Sequence, residues 1–332
     1  MRKFSLVLLF IPFLISCKKQ TKEYLKIEGF AQGTTYSIVY YDSLNRNFSP
    51  NFDSLFAVID NSMSVYNDSS IISRFNRNEI SVVDAQLAEV ITIADSIYRE
   101  TNGTFDITVG PVIKLLGFWK DKTKGIDSAK VKSLLPLIGM NQIKLDGFNL
   151  TKSNPQIQID VNAIAQGYTV DVFGAFLLSK GISNYLVEVG GEITAKGVNS
   201  RDTCWVVGLD KPVENAMPGE NLQTKIYLSD EKGLATSGNY RKFIEVNGQK
   251  YSHTVNPKTG FPVLNSLLSA TVIANSGARA DALATAFMVN GLDWSINYIQ
   301  THTNVDAYLI YSDESGGYKV WISENLKKKI KE

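Results

Sequence analysis

Residues 242–255 read KFIEVNGQKYSHTV. Asn247-Gly248 separates two runs in which apolar and polar residues alternate, and this dipeptide suits a two-residue hairpin turn because both of its positions need positive φ. Strands joined so tightly pair antiparallel. The middle of the chain repeats the theme in shorter pieces. NQIKLDG, FNLTK and PQIQIDVN are short β-like runs broken by Gly, Asn and Pro, and YSIVYYD, YLVEVGGEITAKG, CWVVGLD and LLSATVIA read as further strands.

Helical patterns fall in separate blocks. In SPNFDSLFAVIDNSMS, Ser49 is the expected N-cap, Pro50 takes the first helical position, and Phe52, Leu55, Phe56, Ile59 and Met63 share one face. A second helix is expected over 84–102, closed by Gly103, and a third over 163–179, ended by Gly181. GARADALATAFMVNG reads as a fourth, closed by Gly291, and the C-terminal part repeats a helix followed by strands. Hairpins with segregated helices predict an α+β fold of mainly antiparallel sheets and packed helices.

The leader sets the compartment. Arg2 and Lys3 precede an apolar run of twelve residues, 4–15, which is too short to span a bilayer. It ends in Leu14-Ile15-Ser16-Cys17, which resembles the bacterial lipobox. The expectation is a lipoprotein signal peptide over 1–16, a Cys17 carrying acyl chains such as palmitate, and a polar tether over 17–24. Residues 25–332 then form the globular part, with room for two packed subdomains. No other apolar run reaches about twenty residues. The protein would be a membrane-anchored lipoprotein outside the cytoplasm, facing the periplasm.

With Cys17 lipidated, Cys204 is the only other cysteine, so no internal disulfide is expected. The formal net charge of +1 provides no field for nucleic acid. Phosphate-loop, nucleophile-elbow, zinc-spacing and dinucleotide-binding motifs are absent from the sequence.

Three polar clusters remain. Asp160, in QIDVNAIAQGY, stands where a strand meets a helix, a place that suits either an anion or a simple helix cap. Asp281 and Thr285, in ADALATA, are four apart on a helix among alanines. That face could offer oxygen ligands to Mg²⁺, or could simply carry a Thr–Asp hydrogen bond in a tightly packed helix. His253, one of only two histidines, precedes NPKTG, whose Pro257 and Gly260 enforce a turn.

Several stretches, taken in order, resemble the ApbE family, the FAD:protein FMN transferases. They are MSVYNDSSIISRFN, GTFDITVGPVIKLLGF, IDVNAIAQGYTVD, LVEVGGEI and ATSGNYR with SHTVNPKTGFP. The likeness spans nearly all of the mature chain. It implies an ApbE-like, T-fold-like architecture. It also implies Mg²⁺-dependent cleavage of FAD, with FMN placed on a Ser or Thr hydroxyl of a partner protein and AMP released.

By the same resemblance FAD is contacted by Gln32, Tyr66, Thr104, Phe105, Asp106, Asp160, Gln166 and Val255. The metal is held by Asp281 and Thr285 with main-chain oxygens near Ala163 and Ala284, and His253 takes the proton of the incoming hydroxyl. The acceptor implied is an exported flavoprotein subunit of a membrane electron-transfer complex. Gln166 stands where the family commonly has Lys, Asn162-Ala163 replaces Gly-Gly, and Asn256 replaces Asp. An FAD pyrophosphatase and a non-catalytic flavin-binding lipoprotein are the alternatives.

Overall fold

A computed structural model of the chain describes residues 22–119, 127–211, 220–228, 232–239, 243–246, 249–252 and 254–331. Cys17 and His253 lie outside the described residues. Eight strands form one antiparallel sheet, and their spatial order is also their chain order. They are Leu25–Ala31, Thr34–Tyr40, Tyr185–Val189, Glu192–Lys196, Lys232–Gly238, Leu267–Ala274, Asp306–Ser312 and Tyr318–Ile322. Insertions between neighbours build the helical layer and, together with the strand that follows the eighth, the opposite layer.

One face carries the helices. Ser49–Met63, Ala85–Glu100 and Asn162–Ser179 fall between the second and third strands, and Gly277–Asn290 with Leu292–Thr301 follows the sixth. Tyr36, Ile38, Tyr185, Val187, Ala235 and Val272 of the sheet pack there against Phe52, Phe56, Phe173, Leu283 and Phe287. On the other face lies a small sheet of Trp205–Asp210, Leu222–Leu228 and Ile330–Lys331. Trp205, Val207, Ile226 and Leu228 cover Ile193, Leu234, Ile273 and Ile310. With both faces buried, LLSATVIA loses strict alternation and becomes a nearly continuous apolar run.

The α+β antiparallel expectation holds, with local corrections. Val246 pairs with Gln249, so the hairpin expected around Asn247-Gly248 is present in the pairing of its strands. The first helix starts at Ser49 itself, after Phe48, without a side-chain cap, while Asn47 Oδ1 accepts from the Ser49 N–H at 2.9 Å. YLVEVGGEITAKG is a hairpin rather than one strand: Val189 pairs with Glu192, and Gly190 and Gly191 are its turn, with φ of 68° and 106°.

PQIQIDVN is not a strand. Asn76 holds this stretch by donating to Ile159 O (2.9 Å) and accepting from Ile159 N–H (2.8 Å), and Lys152 Nζ donates to Ile157 O at 2.7 Å. A side chain and an ammonium replace the ladder, so the propensity of Ile157 and Ile159 is spent on core burial alone. Leu25–Ala31 pairs with the second strand through a two-residue turn at Gln32-Gly33, where φ is 52° and 73°.

Candidate active site

Two helices cross at glycines. A Cβ on Gly167 would lie 2.3 Å from Gly277 O, and one on Gly277 would lie 2.6 Å from Gly167 O. Backbone therefore touches backbone, which only glycine permits. Gly233 of the sheet approaches the same point, since a Cβ there would sit 2.1 Å from Gly277 N. Across the crossing, Asp171 accepts from the N–H groups of Gly277 (2.7 Å) and Ala278 (2.8 Å), placing a carboxylate at the positive end of the Gly277–Asn290 helix.

One turn further along, buried Asp281 reaches back to the other helix, where its Oδ2 accepts from Gly167 N–H at 3.1 Å. In an uninterrupted helix that N–H would serve the carbonyl of Ala163, four residues earlier. Asp281 thus competes for the donor of a main-chain oxygen at the cleft wall, where Ala163 also lies. Thr285 Oγ1, on the same face as Asp281, is 3.3 Å from Ser237 Oγ at the end of a sheet strand. Asp281 and Thr285 of one helix and Ser237 of a sheet strand therefore converge on one oxygen-rich corner.

The opposite wall comes from two loops. Thr104, Phe105 and Asp106 follow the Ala85–Glu100 helix, and all three are buried. Thr104 Oγ1 accepts from Asn290 Nδ2 at 2.7 Å, which ties this loop to the end of the Gly277 helix. Asp106 accepts from Thr108 N–H and Oγ1 at 2.8 and 2.6 Å. Burial nevertheless outweighs these bonds and pushes its carboxyl up to about 6.

Asp160 N–H donates to Ile107 O at 2.7 Å and so locks the second loop to the first. Its Oδ1 accepts from Asn162 N–H (2.8 Å) and its Oδ2 from Trp119 Nε1 (2.5 Å). Asp160 is not the N-cap itself, which is Val161, but from one residue earlier it satisfies the first N–H of the Asn162–Ser179 helix, and it also anchors an indole. Its pKa is raised, chiefly by burial and against those hydrogen bonds.

Between the walls lies a cleft of about 540 Å³. Of the residues picked from sequence, Tyr66, Thr104, Phe105, Asp106, Asp160, Ala163, Gln166, Val255, Asp281 and Thr285 all line it. Tyr66 is 50% exposed at the rim, with its OH 3.5 Å from Asn162 Nδ2. Gln166 lies against the Gly190 turn, where a Cβ would come within 2.8 Å of its Nε2. Gln32 is not among the lining residues; its Oε1 accepts from Thr169 Oγ1 at 3.2 Å. Ala284 is fully buried and also not among them. Thr254 and Val255, which follow His253 in the chain, line the cleft.

The electrostatics are one-sided. Asp106, Asp160, Glu192 and Asp281 line the cleft, and no Lys or Arg is among its described lining residues. Gln166, where a lysine was expected by resemblance, leaves that imbalance uncorrected.

Sequence reasoning passed over Trp119, Asp171, Ser237, Glu192 and the glycines at 167 and 277. Gly167 and Gly277 had a legible signal, because each interrupts a helical pattern where glycine costs stability unless close packing requires it. Asp171 and Trp119 act 106 and 41 residues from their partners, and no local pattern encodes such contacts.

The sequence profile of the ApbE family matches residues 32–309. The FAD:protein FMN transferase of Haemophilus influenzae is 33% identical over 318 residues, covering 91% of this chain and 90% of that protein. The FAD:protein FMN transferase of Vibrio cholerae is 31% identical over 336 residues, covering 98% of each. The solved structure of the flavin transferase ApbE from Vibrio cholerae superposes with a TM-score of 0.82 at 31% identity, over 93% of this chain and 99% of that one. The matched span takes in both glycine-crossed helices, both loops and the sheet ends that enclose the cleft, and the chain belongs to the ApbE family.

Proposed function

We propose that this protein transfers FMN from FAD to a Ser or Thr hydroxyl of another protein. The observation that carries the reading is the charge of the cleft. Its volume suits a dinucleotide-sized ligand, yet four carboxylates line it without a basic side chain among the described lining residues. A diphosphate enters such a place only with a cation. The donors fit Mg²⁺: the Asp281 carboxylate, the Thr285 hydroxyl and the main-chain oxygen of Ala163, all oxygen, with room for water. Among the described residues no group of three or more His, Cys, Asp or Glu could hold a metal ion, so the cation would rest on one carboxylate, a hydroxyl, main-chain oxygen and water. When bound, Mg²⁺ would neutralise charge on the diphosphate during the displacement.

The chain's own residues do the rest. Tyr66 offers a flat face at the rim for a ring of FAD. The loop at 104–106, with Asp160 and Gln166, positions the nucleotide. In the reaction the acceptor oxygen forms a bond to the FMN phosphorus, the pyrophosphate P–O bond breaks, and AMP leaves with that electron pair. The hydroxyl proton passes to a base, the role that family resemblance gives to His253. The implied acceptor is an exported flavoprotein subunit of a membrane electron-transfer complex. The leader supports a location outside the cytoplasm, with Cys17 acylated as the mature N-terminus. No helix of the described residues is long and apolar enough to cross a membrane.

The test is incubation with FAD, Mg²⁺ and a candidate acceptor. Flavin fluorescence that stays with the denatured acceptor, together with stoichiometric AMP, is the expected result. Free FMN with AMP in the presence of a competent acceptor would make the protein a pyrophosphatase, and unchanged FAD would make it a binding protein. His253→Ala should retain FAD binding and lose about 10²–10⁴-fold in transfer; full rescue by saturating FAD would reassign His253 to binding. Mass spectrometry of membrane-extracted protein should find acylated Cys17 first, and an unmodified N-terminus elsewhere would remove the anchor.

A further inference from the structure

The Gly277–Asn290 helix grips the loop at 101–106 from both of its ends. From the first turn, Arg279 Nη2 donates at 2.5 Å to Oε1 of Glu100, the last residue of the Ala85–Glu100 helix and the one directly before the loop. The same oxygen accepts from Tyr298 Oη, which is 3.2 Å from Arg279 Nη2. The His302 ring stacks on Tyr298 with centroids 4.0 Å apart, and its Nε2 is 3.5 Å from Glu100 Oε1. Only 17% of the Arg279 side chain and 19% of the Glu100 side chain are exposed. Burial works against the Glu100 charge, but the bonds from Arg279 and Tyr298 outweigh it and hold the carboxyl below its usual range. At the other end of the helix, Asn290 Nδ2 donates to Thr104 Oγ1 at 2.7 Å. Between these points the loop is folded onto the end of its own helix: Thr101 Oγ1 accepts from Phe105 N–H at 3.2 Å, and Thr104 Oγ1 donates to Thr101 O at 2.9 Å. A shift of Glu100 therefore carries Thr104, Phe105 and Asp106 with it, and those three line the cleft. Asp281 and Thr285 stand between Arg279 and Asn290 on the gripping helix. The two gripping residues are about 16 Å apart along the helix axis, so they fix the tilt of the loop as well as its place.

We infer that Arg279 and Glu100 are positioning residues for the transfer reaction: their pair holds the loop at 104–106 in register with the cation corner at Asp281 and Thr285. The inference rests on the transferase reading above. Neither residue is among the described lining residues of the cleft, so both act through the backbone they hold. The diphosphate must meet the cation while the rest of the nucleotide meets Thr104, Phe105 and Asp106. A shift of one wall against the other weakens both contacts at once. Correct register makes the two ligands cooperative, because each favours the arrangement that the other needs.

The test measures FAD affinity of the full-length protein with and without Mg²⁺, by quenching of flavin fluorescence, alongside thermal unfolding. In the parent, Mg²⁺ should tighten FAD binding by about tenfold or more. Arg279→Met keeps a long side chain but no donor, and it leaves the Glu100 charge uncompensated. It should unfold at lower temperature and lose most of the Mg²⁺ effect. Adding Glu100→Gln removes the stranded charge, so the double variant should regain stability. It should not regain the Mg²⁺ effect, because the grip is still missing. Arg279→Lys restores a charged donor and should keep most of the effect. Parental coupling between Mg²⁺ and FAD in the double variant overturns the inference and leaves the pair as a stabilising contact only. Should Arg279→Met fail to fold, the double variant and Arg279→Lys decide the matter. FAD binding by the parent that ignores Mg²⁺ also overturns the inference, while the transferase reading is judged separately by AMP release and acceptor labelling. No FAD binding by the parent under either condition removes the transferase reading itself, and the inference with it.

Discussion

The two faces of the large sheet are closed in different ways. On the helical face, backbone meets backbone at Gly167, Gly277 and Gly233, and carboxylates are pinned by N–H groups of other elements. On the other face, the small sheet covers the core with Trp205, Val207 and Ile226. The first arrangement fixes oxygen atoms for chemistry. The second closes the core by apolar side-chain packing alone. On the transferase reading proposed above, a site for a cation and a diphosphate needs ligands held as rigidly as those of the helical face.

The comparison predicts a graded series of effects. Gly167→Val should be the most severe, because its branched side chain meets the Gly277 backbone, which cannot move aside. A loss of about 3 kcal/mol or more in denaturant unfolding, or no folded protein, is expected. Near-parental stability would show that the helices are not held by backbone contact.

Asp281 separates structure from chemistry. Asp281→Asn keeps an acceptor for Gly167 N–H and should melt close to the parent, yet lose on the order of 10²-fold in Mg²⁺-dependent turnover. Asp281→Ala should lose the turnover and also about 1–3 kcal/mol, because the buried N–H loses its acceptor. Parental turnover in the Asn variant at unchanged Mg²⁺ would return Asp281 to a purely structural role.

Asp106 gives a pH signature in the ligand-free protein. Its carboxyl is pushed up to about 6, so the folded state binds this proton more tightly than the unfolded chain. Its contribution to stability is thus present at low pH and declines as pH climbs from about 4 to about 6. Asp106→Asn can still accept from Thr108 and lacks the buried charge. It should gain on the order of 2 kcal/mol relative to the parent between pH 4 and pH 7, by thermal unfolding at each pH. A pH-independent difference would mean that Asp106 is not the group responsible.

Asp171→Ala removes the acceptor for two N–H groups at a helix start and should cost about 1 kcal/mol. The smallest effect belongs to the exposed positions of the small sheet: Val206→Arg and Leu222→Arg should leave stability within about 0.5 kcal/mol. A larger loss would mean that these two side chains are packed and not exposed.

The sequence by itself determined the local events. The Asn-Gly turn, the alternating runs and the helix stripes are governed by contacts within a few residues, so the α+β character and most element positions were legible from residue order. Asp281 and Thr285 were readable as one helix face because four residues make a turn of helix. The Gly190-Gly191 hairpin was misread as part of a strand, although positive φ at both positions is a local property and paired glycines are its sign.

Only the tertiary structure decided what converges. It sets the 2.3 Å approach that a Cβ on Gly167 would make to Gly277, and it turns Asp281 onto the other helix. It brings Trp119 to Asp160 and leaves Gln32 out of the cleft lining. The reason is physical. Propensity and periodicity act over one or two turns of chain, whereas a site is a set of distances between segments a hundred residues apart. Those distances are fixed by how both faces of one sheet are packed.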